Sequence, residues 1–266
     1  METPRLTAER IKEYLAQGKR FDGRKPEDFR EISIEGNVSN KAEGSARVRL
    51  GKTEVIVGIK MGVAEPYPDS PNKGNLMVTA ELLPLSSPRY ESGPPRFPAV
   101  ELGRLVDRAI RESKFIDFEK LCIKEGEKVW SVFIDIYSIN DDGNLVDAAG
   151  IAAVAALKWT KMPKYDEKEG KVVYDEPTDK KIPLAKDIPI CITAHKIDGT
   201  IIVDPTLEEE DVSEAKITIG ATPEGVISSM QKGSPVELSI EDIHEILETT
   251  EKVRKKVFSS IKEYLE

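Results

Sequence analysis

Glu101-Leu-Gly-Arg104-Leu-Val-Asp-Arg108-Ala-Ile-Arg111 decides how the rest of this 266-residue chain is read. Leu102, Leu105, Val106, Ala109 and Ile110 recur at the i, i+3, i+4, i+7, i+8 spacing of a helix that buries one stripe. The spacing predicts a helix beginning after Pro98, with Arg104, Arg108 and Arg111 on the opposite face. A buried stripe needs a sheet to cover. Downstream, Val129 to Ile139 alternates β-branched and aromatic residues, as a central strand does. Asp141-Asp142-Gly143-Asn144 then reads as a turn, and Ala148 to Trp159 as a helix whose small residues allow close packing on a sheet.

Upstream, Arg30–Ile34, Ser45–Leu50 and Thr53–Ile59 form a β-meander, with Gly51-Lys52 as a tight turn. A helix before it is capped by Thr7, buries Ile11, Tyr14 and Leu15, and closes at Gly18. Leu76 to Leu83 is a further strand, and Pro84 to Pro98 an irregular exposed loop. Residues 161–187 are rich in Lys, Asp, Glu and Pro around Val172-Val173-Tyr174, a solvated hairpin and linker. Strands resume at Ile188–His195, Thr200–Val203, Lys216–Gly220 and Val226–Gln231. Ser239 with Asp242 opens a last helix, striped by Ile243, Ile246, Leu247, Val253, Val257, Phe258 and Ile261. The class is α+β, two strand-rich halves each closed by a helix. The division expected is 1–25, 26–160, 161–187 and 188–266.

Composition narrows the function classes. Net charge is −9, so any polyanion site is a local patch against an acidic background. The longest small or apolar stretch, Ala148 to Leu157, is too short to span a membrane. The opening Met-Glu-Thr-Pro-Arg-Leu lacks the basic start and apolar core of a signal peptide. Cys122 and Cys191 have no CxxC spacing, which argues against a disulfide framework or zinc site. These features together lead us to expect a soluble cytoplasmic protein.

Two clusters could carry chemistry. Arg104, Arg108 and Arg111, with Arg89, Arg96 and Lys114, leave a local net +2 after Glu91, Glu101, Asp107 and Glu112. Guanidiniums about one turn apart can track successive phosphates of a single strand; the same residues can equally form a solvated face with Asp107–Arg111 and Arg108–Glu112 pairs. No aromatic platform is evident beside them, so contact is expected to be ionic. The run Asp204-Pro-Thr-Leu-Glu208-Glu209-Glu210-Asp211 can hold Mg²⁺, act in acid–base chemistry, or be an exposed acidic stretch. His195 and His244 have no partner at metal spacing and read as structural. No P-loop, G-x-G-x-x-G or G-x-S-x-G occurs.

In combination, several pieces resemble the ribonuclease PH family over about residues 20–255. They are Arg20-Phe-Asp22-Gly23-Arg24, Ala42-Glu43-Gly44-Ser45-Ala46, Gly51-Lys52-Thr53-Glu54-Val55, the Glu101–Arg111 helix and Asp142-Gly143 before an Ala-rich helix. Pro71-Asn72-Lys73-Gly74-Asn75-Leu76 and Glu81-Leu82-Leu83-Pro84-Leu85 are similar to the archaeal exosome ring in particular. The resemblance implies two α/β subdomains, the first ribosomal S5 domain 2-like, assembled into hexameric rings. Such rings degrade RNA from its 3′ end with inorganic phosphate as the nucleophile.

The chain departs from that pattern where phosphate binds. Active members follow the Asp-Gly turn with a Gly, a hydroxyl residue and an Arg at a helix N-terminus; here the positions read Asn144, Leu145 and Val146. Leu and Val offer no donor to an anion. The family's phosphate-binding Arg three residues before Glu101 is replaced by Pro98, with Arg96 two residues off. Asp204 matches the first catalytic carboxylate, and the second falls on Glu210 or Asp211. The resemblance therefore implies a non-catalytic ring subunit with a degenerate phosphate loop and vestigial carboxylates. Arg104 and Arg108 are its expected RNA contacts, with Arg111 and Arg96 weaker ones. Implied partners are a catalytic RNase PH-like subunit in a trimer of heterodimers, RNA-binding cap subunits and single-stranded RNA, with no membrane. Mg²⁺ and inorganic phosphate would serve the catalytic partner, with no cofactor or metal in this chain. Two alternatives stay open: an active phosphorolytic exoribonuclease using Asp204, Glu210 and an Arg96 clamp, and a metal-dependent hydrolase on the acidic run.

Overall fold

The computed structural model describes residues 3–265; Met1, Glu2 and Glu266, at the ends of the outer two segments of the expected division, lie outside the described residues. The meander forms as β1 (Ile32–Gly36), β2 (Gly44–Leu50) and β3 (Thr53–Ala64), all antiparallel. β6 (Lys128–Asn140) pairs antiparallel with β3, and β4 (Asn75–Leu82) lies parallel to β6, giving the order β1-β2-β3-β6-β4. A short β5 (Cys122–Lys124) also pairs with β6. Val55, Val57, Ile59 and Met61 of β3 meet Val132, Ile134 and Ile136 of β6 on one face, all nearly or wholly inaccessible. The second sheet is antiparallel, in the order β10 (Thr200–Val203), β9 (Ile190–Ile197), β11 (Ala215–Ala221), β12 (Ile227–Lys232). β7 (Lys161–Asp166) and β8 (Lys171–Lys181) pair as a separate hairpin.

The helices join the sheets. α3 (Leu145–Trp159) buries nearly all of its residues, packing on β2 and β3 on one side and β9 on the other. Ala148, Ala149, Ala152, Ala153, Ala155 and Ala156 leave room for both sheets. A helix apolar all round is one buried all round. α2 (Phe97–Glu112) covers β4 and leans on β11 and β12. α5 (Ile240–Leu265) lays Ile246, Val253, Val257 and Ile261 into the same core, which is continuous across both sheets. α1 (Arg5–Leu15) packs Ile11 and Leu15 on Ile197, Ile202 and Val212, so the N-terminal helix belongs to the second sheet.

Several boundaries differ from the sequence expectation. α1 starts at Arg5 behind Pro4, with no side-chain cap, so Thr7 is not its cap. α2 starts at Phe97 and carries Pro98 in its first turn, where the missing N–H has no helical partner to lose. α3 starts at Leu145 rather than Ala148, because Asn144 adopts the left-handed conformation (φ 59°, ψ 41°) and turns the chain directly into the helix. The acidic run is not an extended stretch: α4 (Leu207–Val212) forms behind Thr206, whose hydroxyl accepts from the Glu209 N–H while Glu209 accepts from the Thr206 N–H. The Pro84–Pro98 segment is exposed over most of its length, as expected, and is anchored near its start, where the Ser86 hydroxyl bonds Leu83 O and Ser138, both at 2.7 Å. Ser239 and Asp242 form the expected reciprocal cap of α5. Cys122 and Cys191 are free, and among the described residues no helix is long and apolar enough to cross a membrane.

Gly44 tests the seat of α3. A Cβ there would lie 2.5 Å from the Ala156 carbonyl oxygen and 2.8 Å from the Thr160 Cα, both backbone atoms. Gly44→Ala is expected to cost about 2 kcal/mol, as overpacking against backbone does, read as a lowered urea midpoint.

Candidate nucleic-acid interface and the turn before the alanine-rich helix

The turn before α3 forms because Gly143 (φ 87°) and Asn144 accept left-handed geometry. A Cβ on Gly143 would meet Pro205 O and Thr206 C at 2.6 Å, so the turn also presses against the strand-to-α4 connection. Asn144 is buried and organises what surrounds it. Its N–H donates to Glu210 Oε1 at 2.8 Å, and its Nδ2 donates to Asp204 Oδ1 at 2.9 Å and to Asp147 Oδ2 at 3.0 Å. Leu145 is buried and Val146 half-buried. The positive end of the α3 dipole thus faces carboxylates of this same chain.

The acidic run does not converge on a common point. Asp204 is wholly buried and in left-handed conformation (φ 47°). Arg30 grips it in bidentate fashion, Nε to Oδ2 at 2.9 Å and Nη2 to Oδ1 at 2.7 Å, while Arg24 Nη1 donates to Oδ2 at 2.9 Å and the Arg30 N–H to Oδ2 at 2.7 Å. Arg30 also donates to the Asp142 and Gly143 carbonyls, tying the α3 turn to the end of β10. Glu209 pairs with the buried Arg20. Asp211 faces away, receiving Arg89 at 2.6–2.8 Å and the Thr3 N–H and hydroxyl at 2.9 Å. Glu208 is exposed. Among the described residues no group of three or more His, Cys, Asp or Glu side chains is placed to hold a metal ion.

Burial sets the protonation of this region. Asp147 lies in the interior, accepting from the Thr193 N–H at 3.0 Å and hydroxyl at 2.7 Å, and burial pushes its carboxyl up to about 7 despite those bonds. Glu210, directed inward at Asn144, is likewise pushed up to about 7 by desolvation, with the Asp141 charge adding to it. His195, buried against Ser213 at 3.0 Å, is pushed down to about 3 by burial and by Lys216 and Arg20, and stays neutral. His244 is exposed on α5.

The α2 arginines divide. Arg104 is exposed and, among the described residues, has no hydrogen-bond or ion-pair partner; Arg108 is exposed and donates to the neutral Gln231 Oε1 at 2.8 Å. The expected Arg108–Glu112 pair therefore gives way to a contact with β12. Arg111 is half-buried and committed, pairing with Asp107 at 2.7 Å and capping Leu76 O at 3.1 Å on the open edge of β4. Arg96 is exposed and pairs at the surface with Glu91. Val78, Gly103, Arg104, Asp107, Arg108 and Glu112 line a shallow groove of about 310 Å³. The spacing of the arginines exposed this face in the sequence. Arg20, Arg24 and Arg30 were not identified as site residues, because each meets its carboxylate from more than 170 residues away in the chain.

The two domain models of the 3′ exoribonuclease family match residues 28–163 and 187–253. The chain is 48% identical over 240 residues to the exosome complex component Rrp42 of Methanothermobacter thermautotrophicus, spanning 90% of this chain and 88% of that protein. It is 50% identical over 231 residues to the protein of the same name in Methanocella arvoryzae, spanning 87% and 86%. Among solved structures, a chain of the Archaeoglobus fulgidus exosome with RNA bound to the active site matches with a TM-score of 0.88 at 41% identity, over 96% of this chain and 98% of that one. A chain of an archaeal exosome core matches with a TM-score of 0.84 at 38% identity, over 98% and 97%.

Arg30→Ala strands the buried Asp204 charge with Arg24 as its one remaining cation, and is expected to cost about 3–5 kcal/mol, whereas Arg104→Ala at the surface stays within about 0.5 kcal/mol; urea denaturation separates them. Glu210 binds its proton more tightly folded than unfolded, so its stabilising contribution is complete below 4.5 and is lost as the pH rises through about 7. Wild type is therefore expected to lose stability relative to Glu210→Gln between these values and to hold a constant offset above them. Asp147 and His195 are common to both proteins and cancel in the difference; a flat difference would contradict the burial of Glu210.

Proposed function

Because the chain belongs to the 3′ exoribonuclease family, we propose that it is the non-catalytic member of an exosome ring. It binds RNA and shapes the active site of a catalytic RNase PH-like partner. The carrying observation is the start of α3: the Asn144 N–H is taken by Glu210, its side-chain amide by Asp204 and Asp147, and Leu145 and Val146 follow without side-chain donors. Phosphorolysis needs an anion held at the attacking distance, and a helix N-terminus suits it by its free N–H groups and dipole. Here the amide that opens the helix already has an internal acceptor in Glu210, and Arg96, the substitute clamp that the sequence offered, is paired with Glu91. Donors of this kind each contribute roughly 10²–10³ in rate, so losing two makes turnover negligible.

RNA guidance needs no such clamp. Arg104 and Arg108, free of carboxylate partners, offer two guanidiniums one helical turn apart to consecutive phosphates. Such contacts position a strand without reading its sequence. Arg111 supports them from below by holding α2 to the edge of β4. In this reading the catalytic partner alternates with this chain in a trimer of heterodimers and supplies the Mg²⁺ and phosphate chemistry. Cap subunits on the ring deliver single-stranded RNA.

The purified chain alone, given labelled single-stranded RNA with phosphate and Mg²⁺, is expected to release no nucleoside diphosphate. Adding the catalytic partner is expected to restore release. Release by the chain alone would overturn the proposal. In the assembled ring, Arg104→Ala is expected to weaken RNA binding and to reduce the slope of log affinity against log salt by about one.

A further inference from the structure

The outer stripe of α2 does not end with its arginines. At 3.6 residues per turn, Phe97 lies on the line of Arg104 and Arg108, about two and three turns before them and about 10 Å and 16 Å along the axis. From the sequence, contact is expected to be mostly ionic and the helix to begin after Pro98. It begins at Phe97, which puts the ring on the arginine face. Phe97 is 75% exposed, and Val100 beside it 48%.

The charges nearby determine what such a ring can meet. Glu101 is held by Lys216 at 2.9 Å, Asp107 by Arg111 at 2.7 Å, and Glu91 is paired with Arg96. Among the described residues the cations left over on this face are Arg104 and Arg108, and Glu112, the helix carboxylate without an ion pair, lies in their groove one turn beyond Arg108 and away from Phe97. Whatever covers this face has to match two guanidiniums that carry no carboxylate partner as well as an exposed ring. A single-stranded nucleic acid brings phosphates and flat base faces together, which is the complement of cations in line with an exposed ring.

We infer that Phe97 is a stacking platform for one base of a single-stranded RNA whose phosphates Arg104 and Arg108 hold. The inference rests on the RNA-guiding role proposed above and adds to it a contact that is not ionic. Stacking needs a planar face and is insensitive to salt; apolar docking needs only volume. Phe97→Leu retains apolar bulk and removes the plane, while Phe97→Trp retains the plane.

The test uses the ring assembled with the catalytic partner and a single-stranded RNA carrying a fluorescent base analogue. Phe97→Leu is expected to leave assembly intact, to weaken binding about tenfold with the salt slope unchanged, and to lose the quenching of the analogue. Phe97→Trp is expected to restore both. Wild-type affinity and quenching in Phe97→Leu would overturn the inference. So would failure of Phe97→Leu to assemble, which would make Phe97 a protein-docking residue. Arg104→Ala separates the two levels: weakened binding there with no effect at Phe97 overturns the stacking alone, and no effect at either residue overturns the RNA-guiding role as well.

Discussion

Asp204 is the point on which the rest of the structure depends. A carboxylate taken wholly out of water is tolerable only with its charge matched and its lone pairs filled. Arg30 and Arg24 match it, and Asn144 and the Arg30 N–H complete the set. The donors come from the N-terminal turn, the approach to β1 and the start of α3, while the acceptor ends β10. One buried ion therefore joins both sheets and the helix between them. Its energetic value lies less in net stabilisation than in specificity, since any other arrangement leaves a charge unpaired in the core.

The second constraint is the thickness of α3. Two sheets can share a single helix only if the helix presents small residues on both sides, and alanine does so without the conformational cost that glycine carries. Gly150 is the exception, and it lies opposite Cys191 on β9, where an added Cβ would come within 3.3 Å of the cysteine Cβ. Close packing of this kind transmits position well. The N-terminus of α3, the Asp204 cluster and α4 are consequently held as one rigid unit.

That rigidity separates architecture from chemistry. Four carboxylates of the acidic run are parts of the scaffold: Asp204 pairs with Arg24 and Arg30, Glu209 completes a cap and pairs with the buried Arg20, Glu210 accepts the Asn144 N–H, and Asp211 ties Arg89 to the N-terminal segment. The outer face of α2 has gone the other way. Its buried side is committed to β4, β11 and β12, yet Arg104 and Phe97 have no internal duty. Most acids of the run at 204–211 are engaged inside the chain, while the outer face of α2 presents cations and an aromatic ring, the contrast on which the proposed RNA-guiding role rests.

Much of this was legible from residue order. The 3.6 periodicity of Leu102, Leu105, Val106, Ala109 and Ile110 specifies α2 and its buried face, and alternation specifies β3 and β6, because side-chain direction follows directly from backbone period. That Leu145 and Val146 bring no polar side-chain group to the start of α3 is likewise a matter of side-chain chemistry, visible without coordinates. Tertiary structure alone decided the fate of the charges. Arg20, Arg24 and Arg30 find carboxylates more than 170 residues away, and two aspartates seven positions apart, Asp204 and Asp211, end with opposite exposures and different arginines. Periodicity is a local property that a sequence carries in itself. Pairing of buried charges is set by which ends of which elements meet, and only the folded chain brings them together.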